Sequence, residues 1–199
     1  MTKDDLRLEM RRRRAALDPA EAAGASLEAQ ARLGALPAFR RARRIGLYLA
    51  RAGEVATDRL VEAAFAAGRE VAVPARCGGK ADYRFCRLRP GAPLRVGALG
   101  IGEPARPEWL EAAELDLIVA PGVAFDARGH RLGHGLGCYD RMLAGAGRAV
   151  KAGLCFEWQM APEVPADERD VAMDCVVTEW NIYGGEAAAG AQSVPASNG

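Results

Sequence analysis

Paired cysteines are missing from this chain. Its five cysteines, Cys77, Cys86, Cys138, Cys155 and Cys175, are odd in number and contain no CxxC pair. That argues against a disulfide framework and for a reducing, cytoplasmic setting. No apolar run is long enough to span a bilayer. The arginine run Arg11–Arg14 has no apolar stretch behind it, so it does not form an export signal. Basic and acidic residues nearly cancel, at a formal net charge of +1, so neither nucleic acid nor an anionic membrane is the expected partner. Two nucleotide signatures are absent as well. There is no GxxxxGKS/T, and the third glycine of GxGxxG would fall at Cys138. No internal repeat is visible.

Half of the 199 residues are apolar, enough for the core of one domain. The pattern predicts helix over 2–34, interrupted at Pro19, with Arg11–Arg14 as a solvated face. Strands are expected at 43–50, 70–74, 82–88, 115–120 and 149–156, and a last one at 175–178. Thr57 and Asp58 can cap a helix over 58–67 that ends at Gly68. Gly78-Gly79 marks a turn, 89–107 a loop, 107–113 a short helix and 140–143 another. Strands alternating with helices predict an α/β protein with a mostly parallel sheet covered on both faces, its most apolar strand, 115–120, central. The domain is expected to span residues 1–183. Residues 184–199, rich in Gly, Ala, Ser, Asn and Pro, should form a disordered tail.

The informative stretch runs from Pro121 to Asp140, just past the expected central strand. Ligands of open α/β sheets bind at that edge. Gly133, Gly135 and Gly137 alternate, which lets the backbone turn sharply and present bare N–H groups to phosphate oxygens. Arg131 can add charge-assisted donors. Asp140 reads either as a helix-start acid that complements the dipole or as a hard oxygen ligand for Mg²⁺. His130, His134 and Cys138 are spaced four apart, but the glycines between them break the helix that would align them on zinc. Both histidines then read as loop residues near solvent, with His134 placed to touch phosphate. Cys138 reads as packing, not as a nucleophile.

The ordered set of motifs resembles the 5-formyltetrahydrofolate cyclo-ligase family, also called methenyltetrahydrofolate synthetase. The set comprises Lys3-x-x-Leu6-Arg7, Tyr48 to Glu54-Val55-x-Thr57, Gly100-Ile101-Gly-Glu103-Pro104 and Pro121-Gly-x-x-Phe125-Asp126. It continues with Arg131-Leu-Gly-x-Gly-x-Gly-x-Tyr139-Asp140-Arg141, Phe156-x-x-Gln159, Pro165, Asp170, Asp174 and Thr178-Glu179. The resemblance implies a three-layer α/β/α fold related to the sugar-phosphate isomerase and CoA-transferase group. It implies a monomeric enzyme acting on small molecules, with ATP as co-substrate and Mg²⁺ as cofactor. Such an enzyme phosphorylates the formyl oxygen on N5 of the folate, after which N10 attacks.

Carried over by position, Lys3, Arg7 and Arg131, Leu132, Gly133, His134, Gly135, Leu136, Gly137, Cys138 and Tyr139 would bind ATP. Leu49, Glu54, His134, Gly135 and Tyr139 would bind the folate, Arg131 and Glu54 would be catalytic, and Asp140 and Asp174 would hold the metal. Taken alone, Lys3 and Arg7 are ordinary helix charges, Glu54 a turn acid, Leu49 core and Asp174 a strand-start acid. Tyr83, Phe85 and Trp158 could line a pterin site, although such aromatics are more often core. The chain departs from the family pattern at Ala56, His134, Leu136 and Cys138. Two other readings follow from the same residues: a non-catalytic folate or nucleotide binder, and an isomerase or transferase relative with no ATP requirement.

Overall fold

The computed structural model describes residues 1–79, 82–97 and 100–185. Helix α1 (Lys3–Ala15) opens on a capping box between Thr2 and Asp5. Helix α2 (Pro19–Ala35) starts with Asp18 as N-cap and Pro19 in its first turn, which accounts for the break between the two helices. A short α3 (Pro37–Arg41) leads into strand β1 (Arg44–Gly46), and α4 (Asp58–Ala66) leads into β2 (Glu70–Arg76). Then come β3 (Tyr83–Leu88), β4 (Leu94–Val96), β5 (Gly102–Pro104), β6 (Trp109–Leu110) and β7 (Leu117–Ala120). The chain continues through β8 (Ala124–Phe125), β9 (Arg131–Leu132), α5 (Cys138–Ala144), β10 (Val150–Leu154), β11 (Cys175–Val177) and β12 (Ile182–Tyr183).

Eight strands form one sheet in the order β12-β11-β10-β7-β1-β2-β3-β6. The central run from β11 to β2 is parallel, while β3, β6 and β12 add antiparallel edges. Period-2 alternation divides the core. Leu117 and Val119 face the layer of α2 and α4 with Ile45, Leu47, Val71 and Val73. Ile118 and Ala120 face the other layer, which holds Phe125 together with Met142 and Leu143 of α5. Leu6 and Met10 of α1 pack on Ala124 and Leu132 of the β8–β9 hairpin, which docks that helix beside the second layer.

Several expectations are corrected. The stretch 43–50 gives only a three-residue strand, past which Tyr48, Leu49, Arg51 and Glu54 turn to line a cleft. The loop 89–107 contains the β4–β5 hairpin. All three β4 residues are exposed, so no apolar period marked it. The expected helix at 107–113 is the strand β6, paired on β3, followed by a single 3-10 turn at Ala112–Glu114. The strand at 175–178 is followed by one more, β12. Thr57 stands at the N-cap of α4 but makes no capping bond, and its hydroxyl instead donates to the Tyr48 carbonyl. Gln30 of α2 takes over that role, accepting the Arg59 N–H at 3.0 Å. Of the expected tail, residues 186–199 lie outside the described residues.

Candidate active site

An open cleft of about 810 Å³ lies at the C-terminal ends of β1 and β7. Among its walls are the start of α1, the turn Tyr48–Glu54, the glycine loop 133–137, the start of α5 and the segment 167–171. The cleft thus lies at the strand edge named from the sequence.

The glycine loop is held from two sides. Arg7 Nε donates to the Gly133 carbonyl at 3.0 Å, and Arg141 Nη2 donates to the Leu136 carbonyl at 3.0 Å. Gly135 and Gly137 have φ of 95° and 62°, values that favour glycine. No backbone N–H from Gly133 to Gly137 finds an acceptor among the described residues. A run of unpaired N–H groups flanked by cations is a ready seat for an anion.

Arg131 lies beneath this loop with its side chain 3 % exposed. Its Nη2 meets Asp140 Oδ1 at 2.7 Å, and its guanidinium stands over the Tyr139 ring, 5.4 Å from the centroid. Its Nε is buried without a partner among the described residues. Gly122 makes room for it, since a Cβ there would meet Arg131 Cγ at 3.1 Å and the Phe125 ring at 2.6 Å. The Gln159 amide donates to the Gly122 carbonyl at 2.8 Å and pins that turn. This gives the Phe156-x-x-Gln159 motif a structural task.

Glu54 follows Gly53, whose φ is 77°, and its side chain is 7 % exposed. It accepts from the Arg51 N–H at 3.0 Å and from Arg51 Nη2 at 3.3 Å. Arg14 turns toward it, so the arginine run is not a uniform solvated face; burial lowers its pKa while Glu54 raises it. Burial, with Glu54 nearby, pushes the Tyr139 phenol far up, so Tyr139 stays a neutral donor. Burial also raises the Cys138 thiol, which is no activated nucleophile.

Arg51 Nη2 lies 2.7 Å from His134 Nε2. A guanidinium can only donate, so Nε2 accepts and the ring is neutral. Burial, then Arg51, lowers the His134 pKa from 6.5. The folded state thus disfavours the proton, and this contribution to stability is complete above 6.5 and lost as the pH falls through the depressed folded value. His134→Gln is expected to flatten the fall in urea midpoint between neutral pH and about pH 5. The effect should be a fraction of a kcal/mol, because solvent screens an open cleft. An unchanged slope would contradict this protonation state.

Lys3 and Arg7 both line the cleft. The Lys3 ammonium pairs with Asp170 at 2.7 Å and Asp167 at 2.9 Å, and Asp170 is the main reason its pKa rises. Leu49, His134, Gly135, Leu136, Gly137 and Cys138 line the cleft as expected. The Leu132 side chain packs toward α1, which leaves its backbone on the site side. Asp174 is not brought to the cleft. It stands at the start of β11, where its carboxylate accepts the Lys151 N–H at 2.7 Å and pairs with Lys151 Nζ at 3.1 Å. A metal ligand at Asp174 is therefore withdrawn, while Asp140 lines the cleft beside the loop. Phe85 is core and Trp158 stacks on Phe156; of the three aromatics only Tyr83 reaches the cleft. Arg51, Asp167 and Glu103 also line the cleft, which residue spacing in the chain does not reveal.

The chain matches the model of the 5-formyltetrahydrofolate cyclo-ligase family over residues 1–179. It belongs to that family. It is 30 % identical over 179 residues to the 5-formyltetrahydrofolate cyclo-ligase of Escherichia coli K12, covering 87 % of this chain and 98 % of that one. It is 33 % identical over 155 residues to the probable 5-formyltetrahydrofolate cyclo-ligase of Caenorhabditis elegans, covering 71 % and 75 %. Its fold aligns with the solved structure of Aquifex aeolicus 5,10-methenyltetrahydrofolate synthetase at a TM-score of 0.81 and 33 % identity, covering 92 % and 93 %. The cyclo-ligase family, like the proteins named after it, is thus shared over nearly the whole described chain. Among the described residues no helix is long and apolar enough to cross a membrane.

Proposed function

We propose that this protein is an ATP-dependent cyclo-ligase that converts 5-formyltetrahydrofolate to 5,10-methenyltetrahydrofolate, ADP and phosphate. One observation carries the reading: the unpaired N–H groups of the glycine loop, the buried Arg131 and the buried Glu54 open into one cleft. A formyl amide oxygen is a poor leaving group. Transfer of the γ-phosphoryl group to that oxygen turns it into a good one. The N10 lone pair then attacks the formyl carbon, the carbon–oxygen bond breaks as phosphate departs, and the N10 proton is released.

The protein's task is to position both substrates and neutralise phosphate charge. The loop N–H groups and Arg131 meet phosphate oxygens, with Arg7 and Arg141 bracing the loop. Asp140 orients Arg131 and offers one hard oxygen, which suits an ion that usually takes one or two carboxylates along with substrate phosphates. When bound, Mg²⁺ supplies charge neutralisation on the phosphates. Glu54 retains lone pairs for ring N–H groups of the folate, and Leu49 gives it an apolar wall.

Methenyl product formation, followed by absorbance with ATP, Mg²⁺ and 5-formyltetrahydrofolate, tests the proposal. No product from folded protein that binds the folate would overturn it. Two variants separate the substrates. Glu54→Gln is expected to weaken folate binding roughly tenfold or more with ATP binding retained, as loss of a charged hydrogen bond does. Asp140→Asn is expected to raise the Mg-ATP requirement while folate binding persists. Equal losses of both ligands in both variants would contradict this division of labour.

A further inference from the structure

The cleft holds two further polar groups with unmet bonding capacity, Glu103 and Tyr83. Glu103, on β5, lines the cleft with its side chain 3 % exposed. Its ion pair among the described residues is with Arg95 of β4, from Oε2 to Nη2 at 3.2 Å. Arg95 is itself 52 % exposed, so the contact is a single long bond from a solvated cation. A buried carboxylate normally collects several donors. Asp126, equally buried, collects three N–H donors and the His130 ring at 3.0 Å. Glu103 lacks that company, and its Oε1 packs where any Cβ at Gly97 would collide. In the same cleft, the Tyr83 hydroxyl is buried without a partner among the described residues. Leu49 borders the same strand, since a Cβ at Gly102 would meet Leu49 Cδ1 at 3.4 Å.

We infer that Glu103, with the Tyr83 hydroxyl beside it, is a second recognition point for the ring of the folate, taking N–H donors that Glu54 does not reach. Glu54 is held by Arg51 of its own turn, whereas Glu103 is held by Arg95 within the β4–β5 hairpin and shares the cleft with Tyr83. A flat heterocycle with donors on two edges and an apolar face suits a cleft that offers two buried carboxylates along with Leu49 and Ile101. A buried acceptor left with one long bond also rejects ring analogues that lack the matching N–H. This inference rests on the folate reading above. It adds a residue that determines which ring is accepted.

The test is titration calorimetry with 5-formyltetrahydrofolate in the absence of ATP, on wild type, Glu103→Gln, Arg95→Gln and Tyr83→Phe. Glutamine keeps an oxygen for Arg95 but replaces one acceptor by a donor. The expected loss of folate affinity in Glu103→Gln is roughly ten- to a hundredfold, with ATP affinity unchanged. Arg95→Gln should leave folate affinity within about twofold, as exposed ion pairs do. Tyr83→Phe removes a hydroxyl that has no protein partner, so it should fold normally yet bind folate several-fold less tightly; it carries the test if Glu103→Gln fails to fold. Wild-type affinity in both Glu103→Gln and Tyr83→Phe would overturn the inference. So would an Arg95→Gln loss equal to that of Glu103→Gln, since Glu103 would then be a hairpin pin. Absence of folate binding by the wild type would instead overturn the underlying folate reading.

Discussion

Replacing Arg131 by glutamine is expected to lower the rate of methenyl formation about a thousandfold, the scale on which a buried group that meets developing phosphate charge contributes. The side chain has almost no access to bulk water, and its Nε has no partner among the described residues. Unused donor capacity on a buried guanidinium is available to an incoming anion. Among the described residues its one ion pair, at 2.7 Å, is with Asp140, the residue proposed to hold the metal. Phosphate and metal arriving together would offer each partner a replacement of opposite charge. In Arg131→Gln, Asp140 is partly exposed and can hydrate, so the variant should remain folded after losing about 1–3 kcal/mol of stability. Single-turnover formation of the methenyl chromophore at saturating ATP is the measurement. Activity within tenfold of wild type would remove Arg131 from the phosphate-transfer machinery.

Asp126→Ala is expected to cost the fold about 3–5 kcal/mol, the range for breaking a buried, multiply bonded charge. Asp126 is fully buried. Its carboxylate accepts the N–H groups of Arg128, His130 and Val164 and faces His130 Nδ1, each at 3.0 Å. It thereby closes the turn of the β8–β9 hairpin and ties it to the segment after β10. Alanine would orphan those donors in the interior. Arg131 begins β9, so the hairpin also sets the height at which its guanidinium stands under the loop.

Burial alone would raise the Asp126 carboxyl, but the donors from Val164 and His130 outweigh it and hold the pKa below 3.8. The stability that this group contributes is therefore present above 3.8 and lost as the pH falls through the lower folded value. Urea denaturation at neutral pH measures the loss. A midpoint change worth less than about 1 kcal/mol would show that the hairpin does not depend on this carboxylate.

Much of the architecture was legible because local chemistry and tertiary packing agree. The α1–α2 break follows from Asp18 and Pro19, and the central strand from an apolar run that is buried on both sides. The glycine loop was legible for the same kind of reason: three glycines at alternate positions leave a backbone that packing cannot easily claim. The β4–β5 hairpin and β6 were not legible. Their residues are too few or too exposed to show a period, and pairing with distant strands makes them strands. Thr57 shows the opposite failure, because a residue suited to capping found a better acceptor in Tyr48 across a turn.

Composition and motif order were enough to specify an α/β chain of the cyclo-ligase family with a glycine loop after its central strand, because those features depend on residue type and near-neighbour spacing. Which charges meet was settled by folding. Asp140 and Asp174 look alike in the chain, yet one faces Arg131 in the cleft and the other is tied to Lys151 on the neighbouring strand. Arg14, Arg51 and Glu103 acquire their place only when helix α1, the turn after β1 and the hairpin β4–β5 converge on one sheet edge. Partners brought together across such distances leave no periodic trace in the residues between them.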